Sequence, residues 1–293
     1  MNIVITIPAY NEEATIKQVI EELNKVMKAT KYSYKILVID DGSEDRTAEI
    51  SRKAGAIVSS NSRNMGLADT FKEEIKQCLK LKADIIVHTD ADGQYAASSI
   101  PRMIKKIEEG YDLVLGSRFL GKIEYMPLTK RLGNKAFAMV LSKLSRIKLT
   151  DTTTGFRAFT REVAEKINFI NTFTYTQEQI IKAAKLNFKI AEVPIMARET
   201  RESKLFRNPL DYAVKAWINI LRIYRDYEPL KFFGLFGLFF VCIGVLIGIW
   251  LLYLFFTTGR VGHTPSQILV LLLITIGIQI SLFGFLADMN RKN

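Results

Sequence analysis

The chain has 293 residues, 48% of them apolar, and a formal charge of +11 at neutral pH. That length allows a full core with a smaller appendage. Its two cysteines, Cys78 and Cys242, are too few for a disulfide framework, and a reduced cytosolic setting is expected. "MNIVITIPAYNEE" has no basic segment ahead of an apolar stretch, so no cleaved signal peptide is expected.

Residues 1–120 alternate strand-like and helix-like patterns. "NIVITIP" reads as a buried strand and Glu13 to Met27 as an amphipathic helix; "YKILVIDD" and "EDRTAEISRKA" repeat the unit. "AIVSSN" with Leu67 to Leu81, and "ADIIVHTD" with Ile100 to Glu109, repeat it again before "YDLVLGSR". Continuous Val/Ile/Leu runs between helices predict a parallel sheet covered on both faces, with ligands beyond the carboxyl ends of its strands.

Three of those ends are polar: "IPAYNEE", "IDDGSEDRT" and "TDADGQ". Asp45 reads as a helix cap. Asp40, Asp41, Asp90 and Asp92 meeting at one rim would repel one another unless a cation sat among them. A divalent ion with oxygen ligands, Mg²⁺ or Mn²⁺ shared with substrate phosphates, satisfies that requirement, and Gln94 offers another oxygen. A phosphoacceptor domain would explain "DD" but not "DADGQ", and no G-x-x-x-x-G-K-[ST] phosphate loop occurs.

From Arg118 to Lys148 the chain carries eight basic residues against one acid, Glu124, and Arg198, Arg201, Lys204 and Arg207 form a second group. Anionic headgroups would attract them by about 1 kcal/mol each. A sharper reading is a pocket for a phosphate carried on a lipid. No zinc-finger or RNP-type motif supports nucleic-acid binding.

"NPLDYAVKAWINILRIYRDYEPLK" follows, with Leu210, Val214, Trp217, Leu221 and Tyr224 at helical spacing. It reads as a helix packed on the domain or lying in the headgroup layer. Phe232 to Phe256 is uncharged over 25 residues, and Ile268 to Leu286 adds a 19-residue apolar run. A bilayer core takes roughly 20 residues of helix, so both runs are expected to span it. Arg222, Arg225 and Lys231 precede the first span, Arg291 and Lys292 follow the second, and Arg260 stands alone in the link. The positive-inside rule then puts both termini and the large domain on the cytoplasmic side of the cell membrane. Gly244-x-x-x-Gly248 and Gly277-x-x-x-Ser281 suit close packing, within the hairpin or between copies.

"IPAYNEE", "IDDGSEDRT", "RNMGLADTF", "DADGQ", "GSR", "DTTTGFR" and "RETRESK" occur in the order seen in family 2 glycosyltransferases. The set resembles the polyprenyl-phosphate glycosyltransferases, the group of dolichol-phosphate mannose synthase and the dolichol- or undecaprenyl-phosphate glucosyltransferases. The resemblance implies an α/β, Rossmann-like GT-A domain with a mainly parallel sheet over residues 1–207. An amphipathic juxtamembrane helix at 208–231, spans at 232–256 and 268–286 joined by a link at 257–267, and a tail at 287–293 complete the expected organisation.

It further implies that Pro8, Tyr10, Glu12, Val38 and Asp40 hold the nucleotide, that Asp90 and Ala91 line the sugar-nucleotide, and that Asp92 and Gln94 bind the metal. Arg118 would meet phosphate, Arg198 and Lys204 would close over the donor, and Lys130, Arg131 and Asn134 would gather the lipid phosphate. Two positions depart from the family pattern: Gly93, where leucine is frequent, and Arg201, where glycine is usual. The implied reaction moves one sugar from GDP-mannose, UDP-glucose or UDP-N-acetylglucosamine to a polyprenyl (dolichyl) phosphate, with inversion. The attacking phosphate oxygen is already anionic at neutral pH, its second pKa being about 6, so no general base is required. His88 reads as structural, and Glu178 as a solvated helix acid. No Q-x-x-R-W polymer-synthase signature occurs. The alternatives are another lipid acceptor, which would need a base, or a catalytically degenerate membrane-anchored scaffold.

Overall fold

The computed structural model describes residues 1–169, 175–198, 218, 221–259 and 264–291. Strands β1 (Asn2–Ala9), β2 (Ser33–Asp40), β3 (Ile57–Ser60), β4 (Ile85–His88), β5 (Leu113–Ile123), β6 (Arg157–Thr160) and β7 (Ile190–Ala197) form one sheet in the order β3-β2-β1-β4-β6-β5-β7. The first four are mutually parallel, as their uninterrupted apolar runs require. β6 breaks the pattern by running antiparallel to both β4 and β5. "RAFT" is too short and too polar for the sequence to reveal it as a buried strand.

The helices of this unit are α1 (Ile16–Lys28), α2 (Thr47–Lys53), α3 (Leu67–Lys80), α4 (Ile100–Glu108), α5 (Leu128–Ser145), α6 (Arg161–Lys166) and α7 (Tyr175–Lys185). α1 buries Ile16, Val19, Ile20, Leu23 and Met27, a stripe at helical spacing that seals one face of the sheet together with α4. Side chains alternate along each strand, so Ile3, Ile5, Ile7, Val38 and Val87 meet those helices. Val4, Leu37, Ile39 and Ile86 face the opposite way, toward α3, α6 and α7. Thr6 and His88 lie on that second face by the same alternation, paired across β1 and β4. Ala9 pairs with Asp40, so β1, β2 and β4 deliver their carboxyl ends to one rim.

The chain divides into two units, Met1–Ala213 and Val214–Asn293. In the second, helices Pro229–Thr258 and Thr264–Arg291 enclose the two uncharged runs and extend past them. Both are long and apolar enough to cross a membrane, and only 17% and 11% of their most apolar windows are buried, unlike the mostly buried core helix of a soluble domain. Their contact uses the expected Gly277-x-x-x-Ser281 pair, and its close-packed glycines, Gly237 with Gly244 and Gly277 with Gly284, also recur at a seven-residue spacing. A Cβ at Gly237 would run into Ser281 Oγ and the Gly277 carbonyl, and one at Gly244 would lie 2.8 Å from Ile274. Gly284 is equally close to Phe233 at 2.7 Å, whereas Gly248 has nothing nearer than 3.6 Å. Residues seven apart return to nearly the same helix face, which keeps the seam continuous.

Gly237→Val is expected to destabilise the hairpin by about 1–3 kcal/mol through overpacking. Gly248→Val, whose Cβ would meet Val270 only at 3.6 Å, an ordinary contact, should cost less than that. Thermal midpoints of the detergent-solubilised variants separate the two cases.

Candidate active site

The first two rim loops are zipped together by short-range hydrogen bonds. Asn11, with a positive φ of 52°, donates its backbone N–H to Ser43 Oγ (2.9 Å) and accepts from the Glu44 N–H through Oδ1 (2.9 Å). The Glu12 N–H donates to Thr47 Oγ1 at 2.8 Å. Asp45 accepts from the Thr47 backbone (2.9 Å) and from the Glu13 N–H (3.1 Å), so it braces the start of α2 and joins it to the first loop. Tyr10 is 41% exposed above this seam, with Pro8 and Glu12 half-buried beside it.

Two of the four rim aspartates accept hydrogen bonds from neighbouring turns. Asp40 is buried and accepts the Ser43 N–H at 3.2 Å. Asp41, also buried, accepts from Asn61 Nδ2 (2.8 Å) and from the Met65 (2.9 Å) and Gly66 (3.0 Å) amides. Of the four carboxylates expected to converge, Asp40 stays at the end of β2, while Asp41 turns away to order the "RNMG" turn. Gly42 is required there: its φ is +73°, and a Cβ would lie 2.5 Å from the Arg63 carbonyl carbon. The Val38 side chain is fully buried in the core beneath α1.

At the end of β4, Asp90 and Asp92 remain at the rim, both half-buried, while Ala91 between them packs inward. Asp92 Oδ1 accepts the Gln94 N–H at 2.9 Å across Gly93, whose φ of +74° explains a glycine at this position. The Gln94 carbonyl accepts the Arg198 N–H at 2.9 Å. Arg198 Nη1 and Nη2 donate to Glu22 of α1 at 2.8 and 2.9 Å. The structure thus places Arg198 as a brace between α1 and the "DADGQ" loop. Lys204 and Arg201 lie outside the described residues.

Arg118, on β5, is buried and paired in two bonds with Asp151: Nε to Oδ2 at 2.6 Å and Nη2 to Oδ1 at 2.9 Å. Thr153 accepts a further bond from Nη2 at 2.7 Å. Burial opposes its charge, yet Asp151 holds the guanidinium pKa above its ordinary value. Asp151 is in turn fixed through its backbone N–H, which donates to Glu192 of β7 at 2.9 Å. Both motifs, "GSR" and "DTTTGFR", stand out in the sequence, but nothing in it marks Arg118 and Asp151 as partners.

α5 distributes its expected phosphate ligands over different faces. Asn134, Phe137, Ala138, Leu141 and Ser145 form the buried stripe. Lys130 sits four residues before Asn134 on that side, half-buried and near enough to Arg118 and Asp92 for both charges to act on it. Burial, followed by the Arg118 charge, draws its ammonium pKa down. Arg131 is exposed on the other face. The Asn134 amide is buried, and its Nδ2 lies 3.9 Å from the Met126 sulfur.

The donor set fits a hard divalent ion: a half-buried carboxylate at Asp92, with Gln94 in the same turn and Asp90 beside it. Among the described residues no three His, Cys, Asp or Glu side chains close into a cage. Mg²⁺ or Mn²⁺ held here would complete its shell from phosphate oxygens and water.

A family model for glycosyl transferase family 2 matches residues 4–168. The chain belongs to glycosyl transferase family 2. It is 34% identical to the dolichyl-phosphate hexose transferase of Haloferax volcanii over 70% of this chain and 86% of that one. It is 31% identical to the UDP-N-acetylglucosamine–dolichyl-phosphate N-acetylglucosaminyltransferase of Methanococcus voltae, over 69% and 87% of the two chains. In fold it is similar to glucosyl-3-phosphoglycerate synthase from Mycobacterium tuberculosis, solved with Mn²⁺, uridine diphosphate and phosphoglyceric acid. The TM-score is 0.60 at 20% identity, over 76% of this chain and 77% of the other.

Of the titratable groups weighed in this glycosyltransferase, Glu178 differs from its expected setting and His88 keeps it. Glu178 is buried and ion-paired with Lys182 at 2.7 Å, so it is no solvated helix acid. His88 is structural as expected, but it is also charged in company: Nδ1 lies 2.7 Å from Glu74 and Nε2 lies 3.7 Å from Asp90. Burial opposes its protonation, and the Glu74 and Asp90 carboxylates outweigh that, raising its pKa to about 9.

Arg118→Ala would leave Asp151 buried and unpaired, an expected loss of about 3–5 kcal/mol in denaturant unfolding. The His88 contribution to stability is full below the unfolded-state pKa of about 6.5 and is lost as pH rises through the folded value near 9. His88→Gln is expected to flatten the midpoint-versus-pH curve across that window.

Proposed function

We propose that this glycosyltransferase transfers a single sugar from a nucleotide-sugar, GDP-mannose or a UDP-hexose such as UDP-glucose or UDP-N-acetylglucosamine, to a polyprenyl phosphate, with inversion. The observation that carries the reading is Lys130: a helix with an exposed basic face lends one half-buried cation to the rim, near enough to Arg118 and Asp92 for both charges to act on it. An anionic acceptor drawn to that cation would lie beside the carboxylates assigned to the donor and its ion. The relatives named for dolichyl-phosphate acceptors support the same acceptor class.

In this reading Tyr10 offers a surface to the base, with Pro8, Glu12 and Asp40 shaping the loop beneath it. Asp90 meets the sugar. Asp92 and Gln94 would hold Mg²⁺ or Mn²⁺, which when bound neutralises the charge of the leaving nucleoside diphosphate. Lys130 and Arg131 gather the acceptor phosphate. Arg118 acts from behind as a fixed positive charge, and Arg198 holds the metal turn in place. The acceptor oxygen is anionic, so positioning of the two substrates, and not a protein base, supplies the rate. The ion pair that occupies Glu178 agrees with that. The two long helices anchor the enzyme in the membrane, with the catalytic domain and both termini on the cytoplasmic side.

The test is transfer by membrane-reconstituted enzyme from a panel of labelled nucleotide-sugars to polyprenyl phosphate. One donor should give an acid-labile lipid-linked monosaccharide in a reaction stopped by EDTA; no product with any donor would refute the reading. Asp92→Ala should lower turnover by at least about a hundredfold, and full activity would remove the metal assignment. Lys130→Ala should raise the KM for polyprenyl phosphate about tenfold while leaving that for the donor nearly unchanged.

A further inference from the structure

On the sheet face covered by α3 and α7 a chain of polar groups crosses an otherwise apolar core. Thr6 Oγ1 donates to Glu74 Oε2 at 3.0 Å, and the same oxygen lies 2.7 Å from His88 Nδ1. His88 Nε2 lies 2.7 Å from the Tyr175 hydroxyl and 3.7 Å from Asp90 Oδ1. Thr6, Glu74 and His88 are 0% exposed and Tyr175 2%; the Asp90 side chain, at 34%, is where the chain reaches the rim. Apolar residues of equal volume would fill such a core at least as stably, so packing alone does not account for these groups.

The surroundings hold each member in one orientation. The Tyr175 ring is stacked on Phe71, one turn before Glu74 on α3, with centroids 3.9 Å apart. The Arg157 guanidinium lies 5.4 Å over the same ring. Arg157 is the register partner of His88 across β4 and β6, and it is tied to Gln179 at 2.9 Å and to the Thr176 carbonyl at 3.1 Å. Gly155 supplies the remaining wall. It has no positive φ, so it is glycine for room: a Cβ would lie 2.9 Å from Asp90 Oδ1 and 3.3 Å from the Tyr175 hydroxyl. The charged and titratable groups facing His88 are thus Glu74 from α3, Tyr175 from α7, Arg157 from β6 and Asp90 at the end of its own strand.

We propose that Glu74, His88 and Tyr175 form a positioning device for Asp90, fixing its carboxylate against the hydroxyls of the donor sugar. Glu74 sets the ring of His88; His88 and Tyr175 set Asp90 from behind; Gly155 leaves the carboxylate its place. The 3.7 Å gap at Nε2 is in ion-pair range but longer than a hydrogen bond, so a small shift of Asp90 on donor binding would close it. What Asp90 meets rests on the donor reading above; the coupling of Asp90 to His88 does not.

The experiment uses the full chain in lipid nanodiscs. The sequence has two histidines, so in a His263→Gln background ¹⁵N-histidine labelling reports His88 alone. Asp90→Asn is expected to shift the Nε2 resonance in ligand-free protein, and an unmoved resonance would overturn the coupling. In sugar transfer, Tyr175→Phe keeps the ring stack and should lower kcat about tenfold, the loss of one hydrogen bond, with affinity for nucleoside diphosphate unchanged. Wild-type kcat, or an equal fall in nucleoside diphosphate affinity, would overturn the positioning role. A wild-type enzyme that binds nucleoside diphosphate but transfers no sugar refutes the proposed reaction, and the Asp90→Asn resonance still decides the coupling.

Discussion

A parallel sheet brings the carboxyl ends of its strands to one rim, and this chain puts acids there in excess. Every acid at that edge needs a compensating partner, and the fold supplies a different one for each. Asp41 is answered by the amides of its neighbouring turn, Asp45 by Thr47 and the Glu13 amide, and Asp151 by Arg118. Asp90 is backed by a buried histidine. Asp92 stands in a tight turn with the Lys130 charge nearby. With Asp41, Asp45 and Asp151 compensated by the fold, Asp90 and Asp92 are half-buried acids at the end of β4, which is how a rim can be highly acidic in sequence and still fold.

Much of this was legible beforehand, and the physical reason is periodicity. β1, β2, β4, α1 and α4 announce themselves through uninterrupted Val/Ile runs or a helical stripe, and the rim position of "DADGQ" follows from them. The two long helices were legible for the same reason. The later strands were not. β6 is short and antiparallel, and β7 carries Glu192 and Pro194 among its apolar residues, so neither has a period to read.

Within the site, residue type could be read but orientation could not. "DD" looks like paired ligands, yet Asp41 faces the 61–66 turn. Lys130, Arg131 and Asn134 are close in sequence, but helical geometry sends Arg131 outward and buries Asn134. Val38 is a conventional core residue whose place beside Asp40 says nothing of where its side chain goes. His88 was legible as buried; that its two nitrogens join an acid of α3 to an acid of the rim depends on contacts between residues 14 positions apart or on different elements.

The attachment of Arg198 carries a mechanical consequence. β7 ends at Ala197, and the next residue is fastened by its backbone to Gln94 and by its guanidinium to α1. A displacement of that strand end would therefore be passed to the turn that carries Asp92 and to α1 together, so β7, although far from that turn in sequence, sets its position.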